Sequence, residues 1–133
     1  MAWLTILGLT WKGGRLRHPF DIVDVPQRGG VFKLHAHRPD GTWEVLFVSQ
    51  SANLYLALLA CLESGVGPDA AQPAIPPAVR ERVASGVVSF SYAEVPGETE
   101  RAGCVRSLCD YYRPTYNDPK HLPEVQGIAC NPN

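Results

Sequence analysis

The chain has 133 residues, 45% of them apolar, which is enough for one buried core and too little for two large domains. Charged residues make up only 19%, and with 12 glycines and 12 prolines this composition excludes a coiled coil and predicts many stiff loops. A formal net charge of −1 excludes a protein whose whole surface receives a polyanion, so any nucleic-acid face has to be local.

Residues 3–9 read as a short strand that Gly13-Gly14 break, and a basic loop follows. Gly29-Gly30 open an apolar alternation from Val31 to His37, Pro39-Asp40-Gly41 signal a turn, and Trp43 to Val48 alternate again, which predicts a hairpin. Ser51 is placed to cap a helix to about Ser64, apolar nearly all round and therefore deeply packed. Prolines and glycines make residues 65–77 a loop, and Pro77 suits the first turn of a short helix to about Ala84. Gly86 ends it before an alternating strand at Val87 to Val95. Pro96 to Tyr112 read as the last helix, with Glu98 and Glu100 favouring its N-terminus and Ala102, Val105, Cys109 and Tyr112 on one stripe. The tail from Pro119 has turn residues and no period.

No apolar run approaches the roughly 18 residues of a membrane span, and the N-terminus lacks the pattern of a secretory leader, so a cytoplasmic protein is expected. Cys61, Cys104, Cys109 and Cys130 include no pair with the two-residue gap of zinc ribbons or redox motifs, which predicts structural thiols.

The charge is unevenly spread. Residues 1–38 hold Lys12, Arg15, Arg17, Arg28, Lys33 and Arg38 against only Asp21 and Asp24, a local net of +4, and three of the four histidines. His35 and His37 share one strand face with Lys33, so with Glu44 across the hairpin they could make a thin metal site. Tyr111, Tyr112, Arg113 and Tyr116 gather aromatic and basic groups near Asn117, whose other role would be a turn residue bonding its own backbone. Trp3, Trp11 and Trp43 are expected as sheet-face core.

The order of hairpin, buried helix, second helix, strand and helix, closed by Arg113-Pro114-Thr115-Tyr116-Asn117, resembles the GIY-YIG nucleases over about residues 29–118. Gly30-Val31-Phe32 and Phe47-Val48-Ser49 stand where the two signature tripeptides belong, Gln50 to Leu54 is similar to the turn into the first helix, and Leu108, Tyr112-Arg113-Pro114 and Tyr116-Asn117 match the closing pattern. The resemblance implies an α/β (α+β) fold with a small three-stranded antiparallel sheet flanked by helices. An N-terminal strand and basic loop (1–28) and a C-terminal tail (119–133) complete one compact domain. It also implies an active site of two tyrosines, an arginine, a metal-binding glutamate and an asparagine. Here those positions hold Phe32, Phe47, Ala57, Val105 and Asn117, so only the asparagine is retained, and Ser49 replaces a signature glycine. Valine cannot coordinate Mg²⁺, and each lost electrostatic group costs on the order of 10²- to 10³-fold in rate, so an inactive relative is expected, without cofactor.

The leading expectation is a non-catalytic nucleic-acid binder, in the DNA repair or recombination setting that the family implies. Lys12, Arg15, Arg17, Arg28, Lys33, His35, His37, Arg38 and Arg113 are its candidate contacts. One alternative is a protein-interaction or homodimer module using the edge strand at residues 3–9. The other is a divergent metal-dependent endonuclease built on His35 and His37.

Overall fold

A computed structural model of the chain describes residues 4–62, 75–125 and 127–133. The described residues form six strands and three α-helices: β1 (Thr5–Leu7), β2 (Lys12–Arg15), β3 (Gly30–His37), β4 (Trp43–Ser51), α1 (Leu54–Leu62), α2 (Pro77–Ala84), β5 (Val88–Glu94), α3 (Glu98–Tyr112) and β6 (Ile128–Cys130). The main sheet is antiparallel in the order β2-β5-β3-β4, so it has four strands where the resemblance implied three. The hairpin and the later strand form as their alternation predicts, with β3 in the centre. The addition is β2, whose Lys12-Gly13-Gly14-Arg15 had read as a break and a loop. A second, two-stranded parallel sheet joins β1 to β6, so the tail contributes a strand and the N-terminal strand has one of its edges occupied.

Alternation along β3 sends side chains to two separate cores. Phe32, Leu34 and Ala36 face α1 and α2 and meet Phe47, Leu58, Val79 and Phe90. Val31 faces the other way with Val48, Ala93, Cys104, Val105 and Leu108, under α3. Both faces of the central strand are therefore covered at its start, which is why it reads as a nearly continuous apolar run. The four cysteines are buried free thiols, as their spacing predicts, and burial pushes Cys61 up to about 12 and Cys109 up to about 11.

The helices begin and face slightly differently from their sequence signals. Ser51 ends β4, and it is the Asn53 side chain that caps α1 by accepting from Leu56 N at 3.0 Å, while Ser51 Oγ accepts from Asn53 N at 2.9 Å. The buried stripe of α3 is Arg101, Cys104, Val105, Leu108 and Cys109, and Ala102 lies at its margin. Arg101 is buried because its guanidinium joins three segments: Nε donates to Gln50 Oε1 at 3.0 Å, and one terminal nitrogen donates to the Val95 and Pro96 carbonyls. Gly103 lets β6 approach α3, since a Cβ there would lie 2.6 Å from Ile128 Cβ. Among the described residues no helix is long and apolar enough to cross a membrane. The expected loop at residues 65–77 and the end of the first helix at Ser64 lie outside the described residues, apart from residues 75–77.

Gly30 is fixed by packing on two sides: a Cβ would overlap the Ala93 carbonyl of β5 and lie 2.6 Å from Leu54 Cδ1 at the start of α1. Backbone cannot yield as a side-chain tip can, so Gly30→Ala is expected to lower unfolding free energy by about 3 kcal/mol in urea titration. Gly14→Ala, with only Phe90 Cε1 at 3.8 Å, should change it far less.

Candidate functional site

The positions that correspond to a nuclease centre do not converge. Phe32 and Phe47 pack against each other with ring centroids 6.3 Å apart in the core beneath α1, where Ala57 is also buried. Val105 lies across the sheet, in the core beneath α3. Asn117 is occupied in a third place: its Oδ1 accepts from Val48 N at 2.8 Å and its Nδ2 donates to Val48 O at 2.8 Å. It bonds neither its own backbone nor an open site. With Tyr116 N donating to Leu46 O and Thr115 N to Val45 O, it lays the segment after α3 along the free edge of β4.

The histidine alternative loses its carboxylate. His35 and His37 do project from one face of β3, but Glu44 is paired opposite Ala36 and faces the other way, where it meets Arg82 at 3.8 Å and accepts from Thr115 Oγ1 at 2.5 Å. Among the described residues no group of three or more His, Cys, Asp or Glu side chains is placed to hold a metal ion. His35 Nε2 lies 3.1 Å from Ser91 Oγ, and the ring of His37 leans on Trp43 at an interplanar angle of 37° with centroids 3.6 Å apart.

The nine candidate nucleic-acid contacts separate into groups. Lys33 is buried: its Nζ donates to Tyr112 Oη at 3.1 Å and to the Pro132 carbonyl, and sits over the Trp11 ring at 4.5 Å. Burial lowers its pKa, and such an ammonium is not available to a phosphate. Arg28 pairs with Glu94 at 3.5 Å beyond the start of β3, the opposite end from Arg38. Arg113 caps α3 with φ 49° beside the β4 edge. The aromatic cluster around it is likewise divided, with Tyr112 on Lys33, Tyr116 on the α1 core and Tyr111 exposed.

What comes together is one end of the sheet. Register places Arg15 of β2 opposite Ser89, and Ser89 opposite His35, in a row across the face that α3 leaves open. His37 and Trp43 form the next row, and Arg38 follows. Lys12 and Arg15 are exposed on the edge strand and make no ion pair among the described residues, but Lys12 is paired opposite Tyr92 and so belongs to the other face of the sheet. Arg17, just beyond, is exposed near Asp21, whose carboxylate accepts from the backbone of Arg17 and His18.

Between these rows lies a cavity of about 380 Å³ lined by Trp11, Arg15, His35, Trp43, Ser89 and Ser91, among others. Trp43, expected in the core, is 49% exposed, whereas Trp11 is half-buried and donates from Nε1 to Asn131 O at 2.9 Å. Trp3 lies outside the described residues. Burial, with help from the charges of Lys33 and His37, presses His35 down to about 4, so it is a neutral hydrogen-bonding ring at neutral pH. Sequence reading missed the serines and Trp43 as lining groups, because only the β2 and β4 pairings bring them to one place. Comparison of the chain with family models, with curated proteins and with solved structures finds no match in any of the three.

Two outcomes are expected. Asn117→Ala removes two hydrogen bonds from a half-buried strand edge and should cost about 2 kcal/mol in thermal or urea unfolding, with faster amide exchange at Val48. The folded pKa of His35 lies below its ordinary 6.5, so the unfolded chain takes up the proton first. The stability tied to neutral His35 is complete above about 6.5 and falls as pH drops towards about 4. Asp21, Asp40 and Asp118 are held below the ordinary 3.8 by hydrogen bonds, chiefly from the Arg17 backbone, Thr42 and the Lys120 backbone respectively, and they lose their contribution only at still lower pH. Urea midpoints at pH 7 and pH 4.5 should therefore differ more in the wild type than in His35→Gln, and parallel profiles would contradict this assignment.

Proposed function

We propose that this chain binds nucleic acid without cutting it, using the basic end of the four-stranded sheet. The observation that carries the reading is the convergence of Arg15, exposed on an edge strand, with His35, His37, Arg38 and the half-exposed Trp43 ring. Unpaired cations on an edge suit phosphate oxygens, and an exposed indole suits a base. The net negative charge of the whole chain confines the attraction to this patch.

The proposal keeps the GIY-YIG-like likeness as its reason for favouring DNA, in a repair or recombination setting, and treats the protein as a non-catalytic relative. Two features support inactivity. Phe32, Phe47, Ala57 and Val105 supply no group that could hold a metal or stabilise charge, and Asn117 is committed to the β4 edge. The contact set is narrower than the sequence alone suggests, because Lys33 faces inward and Arg28 and Arg113 lie elsewhere.

Fluorescence anisotropy with labelled single-stranded and duplex DNA, titrated across salt without metal, tests the reading. Three or four phosphate contacts predict a log-log salt slope of about −3, and Arg15→Glu with Arg38→Glu should flatten it by about 1 to 2 and weaken binding at least tenfold. Absence of binding to either form at low salt overturns the proposal.

A further inference from the structure

The helix α3 covers only the part of its sheet face around Val31, Val48 and Ala93. Beyond it the register places Gly13 opposite Ser91 and the exposed Arg15 opposite Ser89, so Gly13, Ser89 and Ser91 present small groups where a packed sheet would carry large ones. Gly13 cannot be enlarged either, since a Cβ there would overlap the Phe90 carbonyl. The result is the 380 Å³ hollow, within the range of small-ligand sites, with an indole at each end. Trp11 is immobilised by Asn131 and Lys33. Trp43 is held edge-on by His35, with centroids 4.8 Å apart, and by the tilted ring of His37, while half of its surface stays open.

We infer that this hollow takes one unpaired nucleobase of a single strand, stacked on Trp43 and met at its edge by His35 and the serines, with the flanking phosphates on Arg15 and Arg38. The inference rests on the nucleic-acid reading above and adds selectivity to it. The chemistry is specific to a flat, uncharged heterocycle carrying an anion. A ring needs the open indole face. The His35 imidazole and the hydroxyls of Ser89 and Ser91 can each donate or accept, which matches the alternating groups along a base edge. A base inside a duplex is stacked on both sides and cannot enter a hollow of this size, so duplex can engage only the rim cations.

Three probes, read by anisotropy and by quenching of tryptophan emission, test it on the full chain: a 12-nucleotide single strand, the duplex of the same sequence, and a mononucleotide. The expected result is at least tenfold tighter binding of the single strand than of the duplex at equal salt. Trp43→Ala should remove about tenfold of single-strand affinity, leave duplex affinity and the salt slope unchanged, and be partly rescued by Trp43→Phe. Arg15→Glu with Arg38→Glu should weaken both polymers together. Because Trp43 is half-exposed, its loss is not expected to unfold the chain, and a circular-dichroism melt confirms that the variant compared is folded. Quenching that saturates with the mononucleotide, with no gain from the longer strand, supports the pocket and identifies a free nucleotide as its source. Equal binding of single strand and duplex, or an unchanged Trp43→Ala affinity, overturns the pocket while leaving the nucleic-acid reading intact. No binding of any probe overturns both.

Discussion

A single buried ammonium ties together parts of the chain that are far apart in sequence. Lys33 rises from the central strand into the space between Trp11, Tyr112 and the C-terminal tail, with its Nζ 4.5 Å from one ring centroid and 5.0 Å from the other. Burying a charge is costly unless donors find partners, and here Tyr112 Oη and the Pro132 carbonyl accept from it while two aromatic faces offset the desolvation. The same Tyr112 hydroxyl reaches the Pro132 carbonyl at 2.9 Å, and Asn131 bonds the Leu9 backbone through both its amide oxygen and nitrogen. The parallel pairing of β1 with β6 follows directly from this arrangement, because the two ends of the chain are held against the same side chain.

Legibility in the sequence followed periodicity. The central hairpin, β5 and the three helices carry apolar repeats of two or of three to four, and each forms where those repeats lie. The strand β2 could not be read that way, because Lys-Gly-Gly-Arg has no apolar side chain to alternate; it exists through backbone pairing with β5, and Gly13 is needed where the Phe90 carbonyl comes close. Strand β6 is three residues long and pairs with a segment at the other end of the chain, a contact that no local window contains.

Side-chain roles were less legible than elements, for a related reason. Charge alone made Lys33 a phosphate ligand, but its direction is set by strand alternation and its burial by a helix and a tail that arrive later in the sequence. Size alone made Trp43 core, yet it sits at the start of β4, past the reach of α3. Arg101 is the opposite case: a charged residue at a core position, satisfied by Gln50 and two carbonyls and accommodated by the bare Cα of Gly29. The open end of the sheet is thus defined by where packing stops, and the residues left there are the ones with chemistry to spare.

The edges of the main sheet are also unequal. Residues 115–117 occupy the outer side of β4, with Asn117 imitating a strand neighbour at Val48, whereas β2 has no further strand beyond it among the described residues. A sheet with two free edges can add copies without end, as fibrils do. Among the described residues the main sheet is open only at β2, so pairing of β2 with another β2 would be an isologous event that uses up that edge. Such a dimer would also set two basic patches side by side across a twofold axis. Through the amide of one asparagine, the fold closes one of the two edges that an open sheet exposes.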